Sequence, residues 1–256
     1  MKLAPEERRR RILDRLSAGS LSIPDIVREF DISPITARRD LAALEKDGRL
    51  MRVHGGALQN DRVAYEFTFK EKESRNRSAK EAIGRAAAAL VTPGDAVYLD
   101  TGTTSLAVAR ALRACQPSVI ITINLCVASE YVGQKDIRVL VPGGEVGQLS
   151  PDLQGEWTLQ MLRDVTVDIA FLGGDSVDTK DGYSAADPKS GAISRLILER
   201  SSRSYLVADS SKFGARSLYR IAPLNRLTGL VTDSGVSMAC RAEIEKLGLD
   251  LIVADV

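Results

Sequence analysis

Asp100, Thr101, Gly102, Thr103 and Thr104 stand between an apolar run, AVYL at 96–99, and a segment with helical spacing, SLAVARALRA at 105–114. A strand-to-helix turn of small hydroxylated residues brings backbone N–H groups, hydroxyls and the positive end of a helix dipole to one point. That is the chemistry of a phosphate cradle. The bland counterpart is a turn with a threonine cap, and the GxxxxGK[ST] order of a P-loop is absent. Other polar turns also follow apolar runs: Asn124 after SVIITI, Pro142-Gly143-Gly144 after IRVLV, Gly173-Gly174-Asp175 after VDIAFL, and Asp209-Ser210-Ser211-Lys212 after SYLVA. Ligands of open α/β sheets bind outside the carboxyl ends of the strands, so these turns are candidates for one pocket. Lys212 offers a cation for a phosphate or sugar oxygen and Asp175 an acceptor for hydroxyls. Their plain readings are a surface lysine and the end of a tight turn.

A second constellation lies in SPITARRDLAALEKDG, residues 33–48. Ser33 and Pro34 are favoured residue types for an N-cap and a first helical position. Thr36, Arg38 and Arg39 then fall in the first turn and a half, while Leu41 and Leu44 mark the opposite face. Arginine forks match guanine edges and phosphates in a bidentate way. RLMRVHGGAL follows as two short strands about a Gly-Gly turn, with Arg52 and His54 on the hairpin. The alternative is a solvated helix whose arginines pair with Asp40 and Glu45.

The elements that must carry these groups divide the chain in two. Residues 6–18, 23–30 and 34–47 read as three short helices before the hairpin, the order of a winged helix-turn-helix over residues 1–59. Residues 60–77 are polar and weakly patterned, a linker or a bent connecting helix. From 78 to 256, apolar strands at 137–141, 167–173, 204–209, 229–233 and 249–254 join those at 96–99 and 118–123 in alternation with helical segments. Such alternation predicts a parallel, Rossmann-like α/β sheet covered on both faces.

At 256 residues the chain has room for both modules, and its net charge is only +1. Twelve Lys/Arg stand against nine Asp/Glu in residues 1–60, leaving −2 for the remainder, which is compatible with a DNA-binding amino-terminal end. Cys115, Cys126 and Cys240 are widely spaced and lack histidine neighbours, so they read as reduced thiols without a metal. The amino-terminal residues lack a signal-peptide core and no apolar run is long enough to span a membrane, so a cytoplasmic protein is expected. The one histidine, His54, excludes a histidine-based triad in the second module.

Three motifs in the first sixty residues, R-x-x-I-L-x-x-L (Arg10 to Leu16), S-x-x-x-x-R-R-D-L (Ser33 to Leu41) and L-x-R-x-H-G-G-A (Leu50 to Ala57), resemble the DNA-binding domain of the DeoR family of bacterial sugar-catabolism repressors. Ala37 departs from the β-branched residue more common before R-R-D-L. The resemblance continues through D-x-G-T-T, T-x-N, P-G-G, D-x-A-F-x-G and D-S-S-K-F-G, which look like the DeoR effector domain, itself similar to ribose-5-phosphate isomerase. It implies a repressor of carbohydrate catabolism genes that reads double-stranded operator DNA as a homo-oligomer, dimer or tetramer. A phosphorylated sugar or related metabolite in the cleft would modulate operator affinity.

DNA would meet Ser33, Thr36, Arg38, Arg39, Arg52 and His54; the effector would meet Asp100 to Thr104, Asn124, Gly143, Gly144, Gly173, Asp175, Asp209 and Lys212. Lys80 and Lys189 are further effector-binding candidates. The alternative is an isomerase-like enzyme with an accessory DNA-binding domain. Isomerases carry D-G-A-D where this chain has Leu172-Gly173-Gly174-Asp175, and leucine cannot transfer the proton that aldose–ketose isomerisation moves. Ser194 also replaces the lysine of the family's V-K-R. No catalytic residue, metal or cofactor is therefore expected.

Overall fold

The computed structural model describes residues 4–16, 21–46, 50–53, 56–59, 69–147 and 150–256. The chain divides into two compact units, Met1–Tyr65 and Glu66–Val256.

The first unit contains helices α1 (Pro5–Leu16), α2 (Ile23–Phe30) and α3 (Pro34–Lys46) and strands β1 (Leu21–Ser22), β2 (Leu50–Val53) and β3 (Gly56–Gln59). Ser22 caps α2 by accepting from the Asp25 N–H, and Asp31 ends it in the left-handed region at φ 48°. Strands β2 and β3 pair antiparallel from Leu50↔Gln59 to Val53↔Gly56, and β1 adds to β3 on the far side. Ile12, Leu21, Ile26, Ala37, Leu41, Leu44 and Leu50 form the core. Ala37 is fully buried there, so its small side chain is a packing choice.

The second unit begins, among the described residues, with α4 (Phe69–Ser74) and α5 (Arg77–Ala88). The stretch read as a linker or a bent connecting helix contains α4, and Phe69 is buried in this unit's core. There follow β4 (Ala96–Leu99), α6 (Thr103–Leu112), β5 (Val119–Thr122), α7 (Leu125–Ser129), β6 (Arg138–Leu140), β7 (Glu145–Val146), β8 (Leu153–Gln154) and α8 (Glu156–Arg163). The chain continues through β9 (Val167–Leu172), β10 (Ser176–Asp178), β11 (Gly182–Ala185), α9 (Pro188–Arg200), β12 (Ser201–Val207), β13 (Tyr219–Ala222), β14 (Gly229–Asp233), α10 (Met238–Lys246) and β15 (Asp250–Ala254).

Seven of these strands form a parallel sheet in the order β15-β14-β12-β9-β4-β5-β6 among the described residues. Successive strand residues enter opposite cores, as the pleat requires. Val97, Leu99, Ile169 and Phe171 join Ile83 of α5 and Leu106 of α6 on one face; Tyr98, Ala170 and Leu172 join Ile193 and Ile197 of α9 on the other. Strands β10, β11 and β13 make a small antiparallel sheet, and β7 pairs with β8. The order runs from β4 toward β6 in one direction and from β9 toward β15 in the other. The carboxyl ends of β4 and β9 therefore flank the topological switch point, where crevices open in such sheets. Among the described residues no helix is long and apolar enough to cross a membrane.

Candidate functional sites in the two units

In the first unit, Ser33 starts α3: its Oγ accepts from the Thr36 N–H at 3.2 Å and lies 2.9 Å from Thr36 Oγ1. Both hydroxyls are thus engaged in the cap. Asp40, the nearest acid to Arg38 and Arg39 in sequence, is buried and taken by α1, with Arg8 Nε donating at 2.6 Å and Arg9 Nε at 3.1 Å. Arg38 and Arg39 are exposed and make no ion pair or hydrogen bond among the described residues. Free arginines and a polar first turn on one exposed helix face suit a polyanion. Ile35 stands beside them, 69 % exposed. An apolar side chain there fits a thymine methyl. Sequence patterning hid it, because isoleucine after a cap reads as core. Arg52 lies opposite Ala57 in the hairpin, and His54 falls outside the described residues.

In the second unit, the turn after β4 delivers α6. Gly102 caps that helix at φ 99°, a conformation that excludes a side chain, and no side chain caps the helix. The first helical bond is from Leu106 N–H to the Gly102 carbonyl, so the N–H groups of the opening turn face outward without a partner in the helix. Thr103 is buried with its hydroxyl toward the Lys72 carbonyl at 3.5 Å, while Thr104 is half-buried. The end of β9 meets this loop closely: a Cβ on Gly173 would stand 2.9 Å from the Thr101 carbonyl oxygen.

Asp100 ties the two strand ends together. Its Oδ2 accepts from the Gly173 N–H at 3.0 Å and from Ser194 Oγ at 2.6 Å, and Tyr98 Oη donates to Oδ1 at 3.4 Å. Burial pushes its carboxyl above the usual range, against the pull of these donors. Asp100 is thus a buried organiser of the loop, and Ser194 is the group that holds it.

Around this point the charges interlock. Burial alone would raise Asp175, but Lys72 at 3.0 Å, Lys212 and the Ala186 N–H hold it below the carboxylate range. Lys212 is half-buried, its backbone N–H donates to the Asp209 carbonyl at 3.0 Å, and its ammonium makes no ion pair or hydrogen bond among the described residues. Burial, Lys72 and Arg75 lower it, while Asp175 and Asp209 oppose them. Asp209 accepts from Asn76 Nδ2 at 2.9 Å and from the Ser211 N–H. Lys80 is buried, and its ammonium donates to the carbonyls of Lys72 and Arg75, closing the end of α4; burial brings it down to about 8. Lys80, a candidate for effector binding, thus directs its ammonium to the end of the helix that carries Lys72.

Asn124 follows β5, and its Oδ1 accepts from the Cys126 and Val127 N–H groups to cap α7. Asp152 pairs with it across one antiparallel rung. Burial, with Asp100 and Asp175 adding to it, pushes Asp152 up to about 7 against Ser150 and Lys72. Asn124 Nδ2 and Asp152 Oδ1 are buried without a hydrogen-bond partner among the described residues. Sequence reading missed Lys72 and Asp152, since each lies in a stretch without strand or helix periodicity of its own.

Gly143, Gly144 and Lys189 are not drawn into this cluster. Gly143 and Gly144 follow the edge strand β6 and pack on α8, where Thr158 Oγ1 donates to the Gly143 carbonyl at 2.9 Å. Lys189 pairs with exposed Glu145 at 3.3 Å.

Known proteins corroborate both halves. Residues 8–63 match the model of the DeoR-like helix-turn-helix domain and residues 75–234 that of the DeoR C-terminal sensor domain. The chain is similar to the transcriptional repressor AccR of Agrobacterium fabrum, 33% identical over 92% of each chain. It is likewise similar to the HTH-type transcriptional regulator GlpR of Haloferax volcanii, 30% identical over 98% of each chain. Among solved structures, ribose 5-phosphate isomerase A of Methanocaldococcus jannaschii matches 54% of this chain and 55% of its own, with a TM-score of 0.40 and 19% identity, too distant to carry an argument. A helix-turn-helix unit with free arginines on α3, a second unit with an open helix terminus at its sheet's switch point, and family matches spanning both identify the chain as a member of the DeoR family of DNA-binding transcriptional regulators.

Proposed function

We propose that this regulator represses carbohydrate-catabolism genes and that a phosphorylated sugar, or a related phosphorylated metabolite, sets its operator affinity. The observation that carries the effector reading is the open terminus of α6 in the same cluster of strand ends as Lys212, whose ammonium makes no ion pair or hydrogen bond among the described residues. Outward N–H groups, a helix dipole and a cation suit a dianionic phosphate. Asp175, Asp209 and Asn124 supply acceptors and donors for sugar hydroxyls nearby. On the DNA side, Arg38 and Arg39, with Thr36 and Ile35, are the base- and phosphate-reading face of α3, and Arg52 and His54 belong to the wing. Symmetric dimers commonly read such operators, so a homo-oligomer is part of the proposal.

The effector acts only if it binds the DNA-competent and DNA-incompetent states differently; typical couplings change affinity roughly 5–150-fold. The test is thermal stabilisation by inorganic phosphate, ribose 5-phosphate, fructose 1-phosphate and fructose 6-phosphate, with operator binding measured on DNA flanking the protein's own gene. The proposal expects stabilisation by at least one phosphorylated sugar, its loss in Lys212→Met, and changed operator affinity in the wild type alone. Stabilisation that persists unchanged in Lys212→Met refutes the assignment of that cation. Turnover of any of these sugar phosphates would replace the regulator-only reading with an enzymatic one.

A further inference from the structure

Arg8, Arg9, Arg10 and Arg11 stand in succession on α1, and the fold uses them differently. Arg10 and Arg11 are exposed, and both pair with Glu7, at 2.8 and 3.0 Å. Arg8 lies four residues before Ile12 and shares its side of the helix, which packs into the core. It is buried, and its Nε donates to Asp40 Oδ2 at 2.6 Å. Arg9 is rotated outward from it. Its Nε donates to the other carboxylate oxygen, Asp40 Oδ1, at 3.1 Å, yet its side chain stays 31 % exposed against 2 % for that of Asp40. Beyond that bond the guanidinium of Arg9 makes no ion pair or hydrogen bond among the described residues. Arg8, the closer and more buried of the two, already gives Asp40 an opposite charge. Neutralising the carboxylate therefore does not by itself call for Arg9.

We propose that Arg9 is a DNA-phosphate contact on α1, aimed by Asp40 of α3. Asp40 lies one turn beyond Thr36 on α3 and directly after Arg39, so its carboxylate joins the two helices at the flank of the DNA-reading face. A helix seated in the major groove, about 12 Å wide, runs between two phosphate backbones, and a group on its flank meets one of them. An arginine gripped at Nε keeps both Nη groups for a bidentate bond to one phosphate. With the fork held in advance, less side-chain freedom is lost on binding. The ligand is the phosphodiester backbone, so the contact carries no sequence information. It adds affinity for duplex DNA of any sequence and fixes how α3 enters the groove. The proposal rests on the reading of α3 as the DNA-reading helix.

The test is fluorescence anisotropy of the full-length protein on two labelled duplexes over a series of salt concentrations. One duplex is DNA flanking the protein's own gene, the other a scrambled sequence of the same length. Arg9→Met is expected to weaken binding to both by the same factor, roughly tenfold, and to lower the slope of log affinity against log salt by about one. Arg9→Lys keeps the charge and so the slope, but an ammonium lacks the fork that meets Asp40 and a phosphate together, and weaker binding than wild type is expected. Arg11→Met, whose charge Glu7 offsets, is expected to leave the slope in place. Far-UV circular dichroism and the thermal midpoint verify the fold; a merely structural Arg9 moves the midpoint and not the slope. A folded Arg9→Met with the wild-type slope, an Arg9→Lys that binds as tightly as wild type, or an Arg11→Met that loses as much slope as Arg9→Met overturns the assignment. Should Arg9→Met fail to fold, Arg9→Lys decides alone. Arg38→Ala is run beside them: wild-type binding there overturns the reading of α3, whereas weakened binding there with a silent Arg9→Met overturns only the contact at Arg9.

Discussion

The carboxyl of Asp152 is held at about 7 against an ordinary 3.8, with burial as the main cause. Between those values the folded protein holds a proton that the unfolded chain has lost, so this group's contribution to stability falls as pH rises from about 4 to about 7, then levels off. The accumulated cost is on the order of a few kcal/mol. Asp152→Asn keeps the shape and removes the ionisation. Chemical denaturation at pH 5, 6, 7 and 8 is therefore expected to find the variant's advantage over wild type growing across this range and largest at pH 8. At the other end of the chain, the guanidinium groups of Arg38 and Arg39 have no ion-pair or hydrogen-bond partner to lose among the described residues. Replacing either by alanine is expected to leave the thermal midpoint in place and to weaken operator binding on the order of tenfold or more. A residue contacting a base also relaxes sequence preference, while one contacting phosphate flattens the salt dependence, and filter binding against point-mutated operators at several salt concentrations tells the two apart.

Among the elements, α5 and α6 cross most closely at Gly84. A Cβ there would stand 2.6 Å from the Ala107 carbonyl oxygen, so the two helix backbones meet with no room for a methyl group. Gly84→Ala raises helix propensity, but the clash outweighs it: overpacking against backbone costs about 1–3 kcal/mol, compared with at most about 1 gained. The expected outcome is a lower urea midpoint with an unchanged m-value, and an effector response weakened because α6 carries the open N–H groups. The capped start of α3 was legible from Ser33 and Pro34, since caps act through neighbours in sequence. The role of α4 was not. Its run Lys70 to Glu73 carries no apolar residue in sequence, while Phe69 is buried in the core and Lys80 holds its end.

For the whole molecule, the prediction is reciprocity. An effector that weakens operator binding by some factor must itself bind more weakly, by the same factor, to the operator complex than to the free protein. Calorimetric titration of the stabilising sugar phosphate with and without operator DNA measures that factor from one side, and operator binding with and without the sugar phosphate measures it from the other. A factor of one would mean that the sugar phosphate binds the two states equally and does not set operator affinity. The size of the coupling depends on the difference between two states of the chain, and so belongs to no single residue.

The helix-turn-helix order, the seven strands of the parallel sheet and the division into a helix-turn-helix and a parallel α/β unit followed from the sequence alone, because amphipathic period, caps and turn residues act over a few positions; the small antiparallel sheet of β10, β11 and β13 did not. The switch-point loop at Thr101 to Thr104 was visible for the same reason. Tertiary structure decided which charges meet. It gave Asp40 to Arg8 and Arg9, leaving Arg38 and Arg39 free; it gave Asp175 to Lys72, Asp100 to Ser194, and the ammonium of Lys80 to the end of α4. Apart from the Lys80 contact, which spans 8 residues, these pairs join groups far apart in the chain, 31 residues for Arg9 and Asp40 and 103 for Lys72 and Asp175. Their partners are set by how strands stack in a sheet, and no local pattern records that order.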